Sequence, residues 1–288
     1  MFKKCEICNV RDAHAMSKTI IDSTGKGLQF QSLKELYLYR DLFLTLAYRE
    51  FRIRYAQTFL GFLWAGLQPL VTLVIFAIVF GRALQVDTSG VPYPVFALAG
   101  MSAWMYFSFV VSTSGKSLIT DQAMISKIYF PRIITPLSKA LVGLIDFAIT
   151  FILLILFMIW YGVSPSPHMV WLPVFLLMAL LASLTFGIWV SALSVRYRDI
   201  QHIIPFMVQV GLYATPVAYP SSLIPEKYQL AYFLINPMAG VIEGFRWSII
   251  GQGEVQPLMF YSFGLIALLF ILGLLYFKKV ERTMADIL

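Results

Sequence analysis

Long, unbroken apolar runs separated by shorter polar or basic stretches set the pattern of this chain. A hydrocarbon core of about 30 Å takes roughly 20 helical residues at about 1.5 Å each. Runs at 59–80, 95–114, 141–161, 170–195 and 258–277 meet or approach that length. A further run, 203–219, is shorter and holds Pro205 and Pro216, so it predicts an irregular span, fifth in chain order. The runs are continuous rather than alternating, which argues for helices and against barrel strands. The expected fold is an all-α polytopic membrane protein with six transmembrane helices.

Three stretches outside those runs are patterned as well. In 33–57, Leu36, Leu42, Phe43, Leu46, Ala47, Phe51 and Tyr55 recur at helical spacing beside Lys34, Arg40, Arg49, Arg52 and Arg54. That predicts an N-terminal amphipathic helix in the membrane interface, with a plain juxtamembrane anchor as the alternative. In 116–136, Leu118, Ile119, Ile125, Ile128, Tyr129 and Phe130 are too apolar for a solvated loop and too interrupted for a span. A short helix that docks a partner protein fits there, and so does a loop folded on the membrane.

The third stretch, 221–256, contains two apolar pieces, 223–235 and 238–250, both too short to cross. Asn236-Pro237 reads as an N-cap followed by proline at the first helical position, and Gly251 as the stop. With prolines at 205, 216, 220, 225 and 237, these pieces predict two short re-entrant gate helices, 221–251, before the last span. An outer plug without a transport role is the alternative.

Composition agrees with the pattern: of 288 residues 59% are hydrophobic and 13% charged, about half the charge of an ordinary soluble domain. The net charge of +7 points to topology rather than to nucleic acid. Residues 1–58 hold ten Lys and Arg, 115–140 four, 196–202 two and the C-terminal tail three, against Arg82, Lys227 and Arg246 on the other side. By the positive-inside rule both termini are cytoplasmic. The division is then a cytoplasmic extension 1–32, an interface helix 33–57, a permease domain 59–277 and a cytoplasmic tail 278–288. The first long run begins too late for a cleaved leader, so it serves as an uncleaved span.

Chemistry-bearing motifs are few. No Gly-x-x-x-x-Gly-Lys-Ser/Thr occurs: Gly115-Lys116-Ser117 has Val110 where the first glycine belongs, and Thr24-Gly25-Lys26 fails likewise. ATP is therefore expected to be hydrolysed on another subunit. Cys5, Cys8 and His14 give three ligands where a structural zinc site needs four, so no metal is expected. The outer side offers Asp87, Glu226, Glu243 and Glu254 scattered over two loops, poor material for a membrane-embedded glycan enzyme. Asp146, the one acid well inside a span, lies near Lys139 and reads as a polar helix–helix contact, with proton relay as the alternative. His168 reads as a solvated loop residue.

Aromatics make up 16% of the chain. Trp104, Tyr106, Trp160, Tyr161, Trp171, Tyr219 and Tyr276 read as an interface belt, while Trp64, Phe107, Phe109 and Tyr213 lie deeper. Aromatic faces suit the C–H faces of sugar rings. Trp64, Trp104, Tyr106, Phe107, Phe109 and Tyr213 are thus candidates to line a channel, or else to pack helices and meet lipid.

An ordered set of motifs resembles a known family. It runs from Arg40-Asp41-Leu42 through Arg49-Glu50-Phe51, Arg54-Tyr55, Gln57-Thr58, Leu60-Gly61, Trp64 and Gln68-Pro69. It continues with Leu118-Ile119, Lys127-Ile128-Tyr129-Phe130-Pro131-Arg132, Pro136-Leu137-Ser138 and Asp146-Phe147. Val195-Arg196-Tyr197-Arg198-Asp199, Thr215-Pro216-Val217, Tyr219-Pro220 and Asn236-Pro237-Met238 close it. Over about residues 33–282 the chain is similar to the membrane subunit of type-2 ABC exporters for polysaccharides. Glu243-Gly244-Phe245-Arg246 looks most like the O-antigen branch, while Glu50 and Ala56 depart from the usual residues.

The resemblance implies a homodimer driven by two ABC ATPase subunits, which bind the ATP and magnesium; this chain carries no cofactor. It implies a coupling helix over 120–129, with Asp121, Met124, Ile125, Lys127 and Tyr129 meeting the ATPase. It makes Arg40, Arg49, Arg52 and Arg54 interface-helix residues, and Pro216, Tyr219, Pro220, Asn236, Pro237, Glu243 and Arg246 an outer gate. The implied substrate is an undecaprenyl-linked polysaccharide of O-antigen type, exported across the bacterial inner membrane. Capsule, teichoic acid or a small hydrophobic compound are the alternatives.

Overall fold

The computed structural model describes residues 37–56, 62–128, 130–253 and 257–287, and everything described is helix or connecting loop. The extension 1–32 with Cys5, Cys8 and His14, the start of the 33–57 stretch, and Tyr129 lie outside the described residues. Helix α1 (Arg40–Phe51) continues into wider π-type turns over Arg52–Ala56. The membrane-length helices follow: α2 (Phe62–Phe76, extended by π-type turns over Ala77–Ala83) and α3 (Tyr93–Thr120). The one-turn α4 (Gln122–Ile125) leads to α5 (Ile134–Tyr161) and, after a short turn over Pro167–Trp171, α6 (Leu172–Arg196). Then come α7 (Ile200–Ala214), α8 (Glu226–Ile235) and α9 (Pro237–Ile250), and α10 (Pro257–Ile287) ends the described chain.

Among the described residues, five segments are long and apolar enough to cross a bilayer: Leu63–Ala83, Tyr93–Thr120, Ile134–Tyr161, Pro167–Arg196 and Met259–Glu281. The sixth expected span is a helix of 15 residues, Ile200–Ala214, which leaves the helical path at Thr215. At about 1.5 Å per residue it covers only about 22 Å. Several boundaries move outward. The helix α3 runs on past 114 through Lys116, Ser117 and Thr120, and α5 begins seven residues before the expected 141. Helix α10 carries on through 278–287, where a separate tail was expected. In α3 and α5 polar residues such as Ser117, Ser138 and Lys139 are buried by protein, which a hydropathy reading does not show.

The centre of the bundle is α3, which packs along α5, α6, α7 and α9 and is buried over most of its length. Its polar residues bond internally: Ser114 donates to the Pro136 carbonyl at 2.9 Å and Tyr106 to the Ala140 carbonyl at 3.3 Å. Where α3 crosses α6, a Cβ on Gly187 would come within 2.9 Å of the Ser114 Cβ, so glycine sets that close approach. Trp104 and Tyr106, expected at the interface, are instead buried near the middle of α3. Trp160 and Trp171, in contrast, are exposed where α5 ends and α6 begins.

Candidate functional site

Two clusters of charge sit at opposite ends of α3, about 40 Å apart along a 28-residue helix. They are built differently, and the inner one starts with α1. Arg49 pairs with Asp121 at the end of α3 and approaches the Met124 sulfur at 3.9 Å. The next residue, Glu50, accepts from Lys139 of α5 at 2.6 Å, and Lys139 also lies 3.6 Å from Asp121. Lys139 is 3% exposed and Asp121 5%, so two opposite charges are buried together. Such a cluster holds only with its partners in place, because a lone buried charge is costly.

One turn further along, Arg54 reaches Asp146 of α5 at 2.7 Å and lies 4.3 Å over the Phe109 ring. The Tyr55 hydroxyl donates to the same carboxylate. Burial first, and then the neighbouring carboxylate, push the Tyr55 hydroxyl up to about 12, so it stays a donor at neutral pH. Asp146 is therefore a helix–helix contact. The basic residues of α1 divide: Arg49 and Arg54 turn toward acids in the bundle, whereas Arg40 and Arg52 are exposed.

The coupling candidates divide too. Asp121 and Ile125 are buried in the chain, Met124 is half-buried beside Arg49, and Lys127 is exposed. The outward face of this stretch is formed by Ala123, Ser126, Lys127 and Ile128, the last 55% exposed.

The outer cluster surrounds the break after α7. Thr215 to Ser221 leave the helix with Thr215, Pro216, Val217, Ala218 and Ser221 buried, so their backbone groups need partners. Backbone bonds satisfy Thr215 N, Val217 N and the Pro220 and Ser221 carbonyls, and side chains serve most of the rest. Ala214 O accepts from the Tyr232 hydroxyl at 2.8 Å, and Thr215 Oγ1 from Asn236 Nδ2 at 2.8 Å. Val217 O accepts from Arg246 Nη2 at 2.6 Å and Tyr219 O from Nη1 at 3.2 Å. Ala218 O takes the Tyr93 hydroxyl at 2.9 Å, and the Ser221 N–H donates to Glu243 Oε1 at 2.9 Å.

Helix α9 places the two charged members one turn apart, with Arg246 Nη1 3.3 Å from Glu243 Oε1. The guanidinium lies 3.8 Å over the Phe96 ring of α3 and is 1% exposed. Proline at the first position of α9 and Gly251 at its end, with φ +69°, follow expectation. The Asn236 side chain, however, does not cap α9; it bonds across to Thr215 and Ala214. All seven outer candidates thus gather around one break: Pro216, Tyr219 and Pro220 in it, Asn236, Pro237, Glu243 and Arg246 in the elements that hold it.

The aromatic candidates do not gather. Trp104, Tyr106 and Phe107 are core, Phe109 is half-buried under Arg54, and Trp64 and Tyr213 are 59% and 54% exposed. Among the residues of the two clusters that escaped the sequence reading as site residues are Glu50, Lys139, Tyr93, Phe96 and Tyr232. A lysine two residues before the 141–161 run, close to Asp146, was a usable signal for Lys139. Nothing in the spacing marks Tyr93 or Phe96.

Among the described residues no three His, Cys, Asp or Glu lie close enough to hold a metal ion.

Residues 41–250 match the family described as ABC-2 type transporter. The chain is 32% identical over 216 residues to an O-antigen export system permease protein, RfbA, of Myxococcus xanthus, covering 74% of this chain and 82% of that one. It is 28% identical over 257 residues to an RfbA of Klebsiella pneumoniae, covering 88% and 96%. To the polysialic acid transport protein KpsM of Escherichia coli it is 26% identical over 240 residues, covering 82% and 92%. The match takes in both charged clusters, Arg49 to Asp146 inside and the break with its holders outside, and the chain belongs to the ABC-2 type transporter family.

Proposed function

We propose that this chain is the permease subunit of an ATP-driven exporter that moves a lipid-linked polysaccharide of O-antigen type from the inner to the outer face of a bacterial inner membrane. The observation that carries the reading is the set of relatives, whose names give O-antigen export and polysialic acid transport. Two copies of the chain and two ATPase subunits form the working unit. ATP is hydrolysed on the partner, whose cleft receives the outward face of 123–128.

The inner cluster supports this assignment. Arg49 and Lys139 bind Asp121, the residue just before α4, so a push on α4 moves α1 and α5 with it. The exposed apolar side of α7, with Phe206, Met207, Val210 and Tyr213, faces the second copy and the glycan path between them. In this reading α7 and the segment 215–221 complete the sixth crossing, and α8 and α9 form the gate at its outer end.

Deletion of the chain tests the reading. Surface glycan should vanish while lipid-linked glycan accumulates in the cytoplasmic leaflet, and the purified chain should bring an ATPase with it. Unchanged surface glycan in the deletion strain sinks the proposal.

A further inference from the structure

On the outer side of α9 lies a cavity of about 180 Å³, open on one side. Its wall is formed by Asp87, Ser89, Ser221, Glu243, Arg246 and Gln252, with Phe96 and Phe233 beneath. The loop that closes it is set by unusual backbone, Ser89 at φ +49° and Gly90 at +84°, and Gly253 of the wall, in the segment after α9, has φ +83°. Two side chains fix that loop. Asp87 accepts from the Ser89 N–H at 2.8 Å, and the Gln252 amide donates to the carbonyls of Thr88 and Ser89. At the base Arg246 is 1% exposed, and its Nε is buried without a hydrogen-bond partner.

The chemistry of the wall narrows what fits. Ligand pockets for drug-sized molecules run from about 300 Å³ upward, so this one takes a single small ring and excludes a lipid chain. Arg246 is already paired with Glu243, and Asp87 adds a further negative charge, so the wall does not favour an anion. Carboxylate acceptors, serine hydroxyls, a carboxamide and a guanidinium packed into one small space match adjacent hydroxyls on one ring.

We propose that this cavity is an outer sugar subsite that takes one neutral, hydroxyl-rich ring of the emerging glycan. The inference rests on the polysaccharide reading above and adds a site to it. Its base is formed by Glu243 and Arg246, which also hold Ser221, Tyr219 and Val217. A ring bound there shares hydrogen-bonding groups with the segment at the break, so occupancy and the position of that segment are linked.

The test uses the full chain with its ATPase in lipid nanodiscs and saturation-transfer NMR. Free mannose, galactose, rhamnose and N-acetylglucosamine are the probes, with sialic and glucuronic acid as charged controls. At least one neutral sugar should give a saturable signal in the millimolar range and the charged sugars none. Ser222→Trp, which fills the mouth from an exposed position, should abolish it. Asp87→Ala at the rim should weaken it about tenfold, the loss of one charge-assisted hydrogen bond. No signal from any neutral sugar, or a signal untouched by both substitutions in chains with unchanged melting temperature, overturns the subsite. Surface glycan in the deletion strain is scored separately, so a chain that exports glycan yet binds no free sugar defeats this inference alone.

Discussion

Arg246 Nη2 lies 2.6 Å from the carbonyl oxygen of Val217, although α7 ends three residues before Val217 and Arg246 stands in the next-but-one helix. The same guanidinium reaches Tyr219 O, so one side chain serves two carbonyls of a buried, non-helical segment. A free carbonyl at that depth would cost several kcal/mol (about 2–7). The arginine is what allows the chain to leave a helix in the interior.

Removing that side chain should therefore destabilise the chain strongly. Arg246→Met leaves Glu243 buried and two carbonyls unserved, and loss of one partner of a buried pair costs about 3–5 kcal/mol. Arg246→Lys should recover little, because an ammonium lacks the planar fork that spans both carbonyls. In the double variant Arg246→Met/Glu243→Gln the melting temperature should fall by less than the sum of the single losses. Additive losses would mean that the pair is not coupled.

The clamp can also be disturbed without touching any of its members. A Cβ on Gly100 of α3 would come within 2.9 Å of Arg246 Nη2 and 3.1 Å of Val217 O. Gly100→Ala should cost about 1–3 kcal/mol, as overpacking usually does. The loss should be local, with faster amide exchange at 215–221 than in α5. Uniform exchange across the helices would show that the glycine serves only general packing.

The existence of the main helices was legible in the sequence because continuous apolar runs have few other uses. Their ends were not. Hydropathy cannot tell a serine facing lipid from Ser114, which bonds to Pro136 O inside the bundle. The outer break was legible from its prolines, and seven residues of the break and its holders were marked by composition or resemblance. Its partners on α3, Tyr93 and Phe96, were invisible because only tertiary packing brings an aromatic pair 120 residues upstream to that place. The same limit turned Asp121 and Ile125 into surface candidates: a four-residue helix carries too little periodicity to show which side faces in.

That inward turn makes a sharp contrast within the coupling stretch. Ile128→Asp alters an exposed position and should abolish co-purification of the ATPase while leaving the chain's melting temperature within about 1–2 °C, as surface substitutions do. Ile125→Ala should do the reverse, costing about 2–4 kcal/mol of stability in the chain alone. If Ile125→Ala releases the ATPase at full stability, the orientation of α4 is wrong.

Lys139 offers the most direct test of transmission. It is buried between Glu50 of α1 and Asp121, and it stands in the first turns of α5, so one ammonium joins three elements. Lys139→Met leaves Glu50 without its cation and Asp121 with Arg49 alone. The outward face of 123–128 is unchanged, so the ATPase should still bind. What should fail is the link from α4 to α1 and α5: the glycan exported per ATP hydrolysed should fall several-fold while hydrolysis itself continues. Adding Glu50→Gln removes the carboxylate left without a cation and should recover part of the lost melting temperature without restoring the export ratio, because a neutral amide does not re-create the tie between the elements. A Lys139→Met chain that folds, binds the ATPase and exports at the parent ratio would reduce the cluster to a purely structural support. A double variant that recovers stability and export together would point the same way.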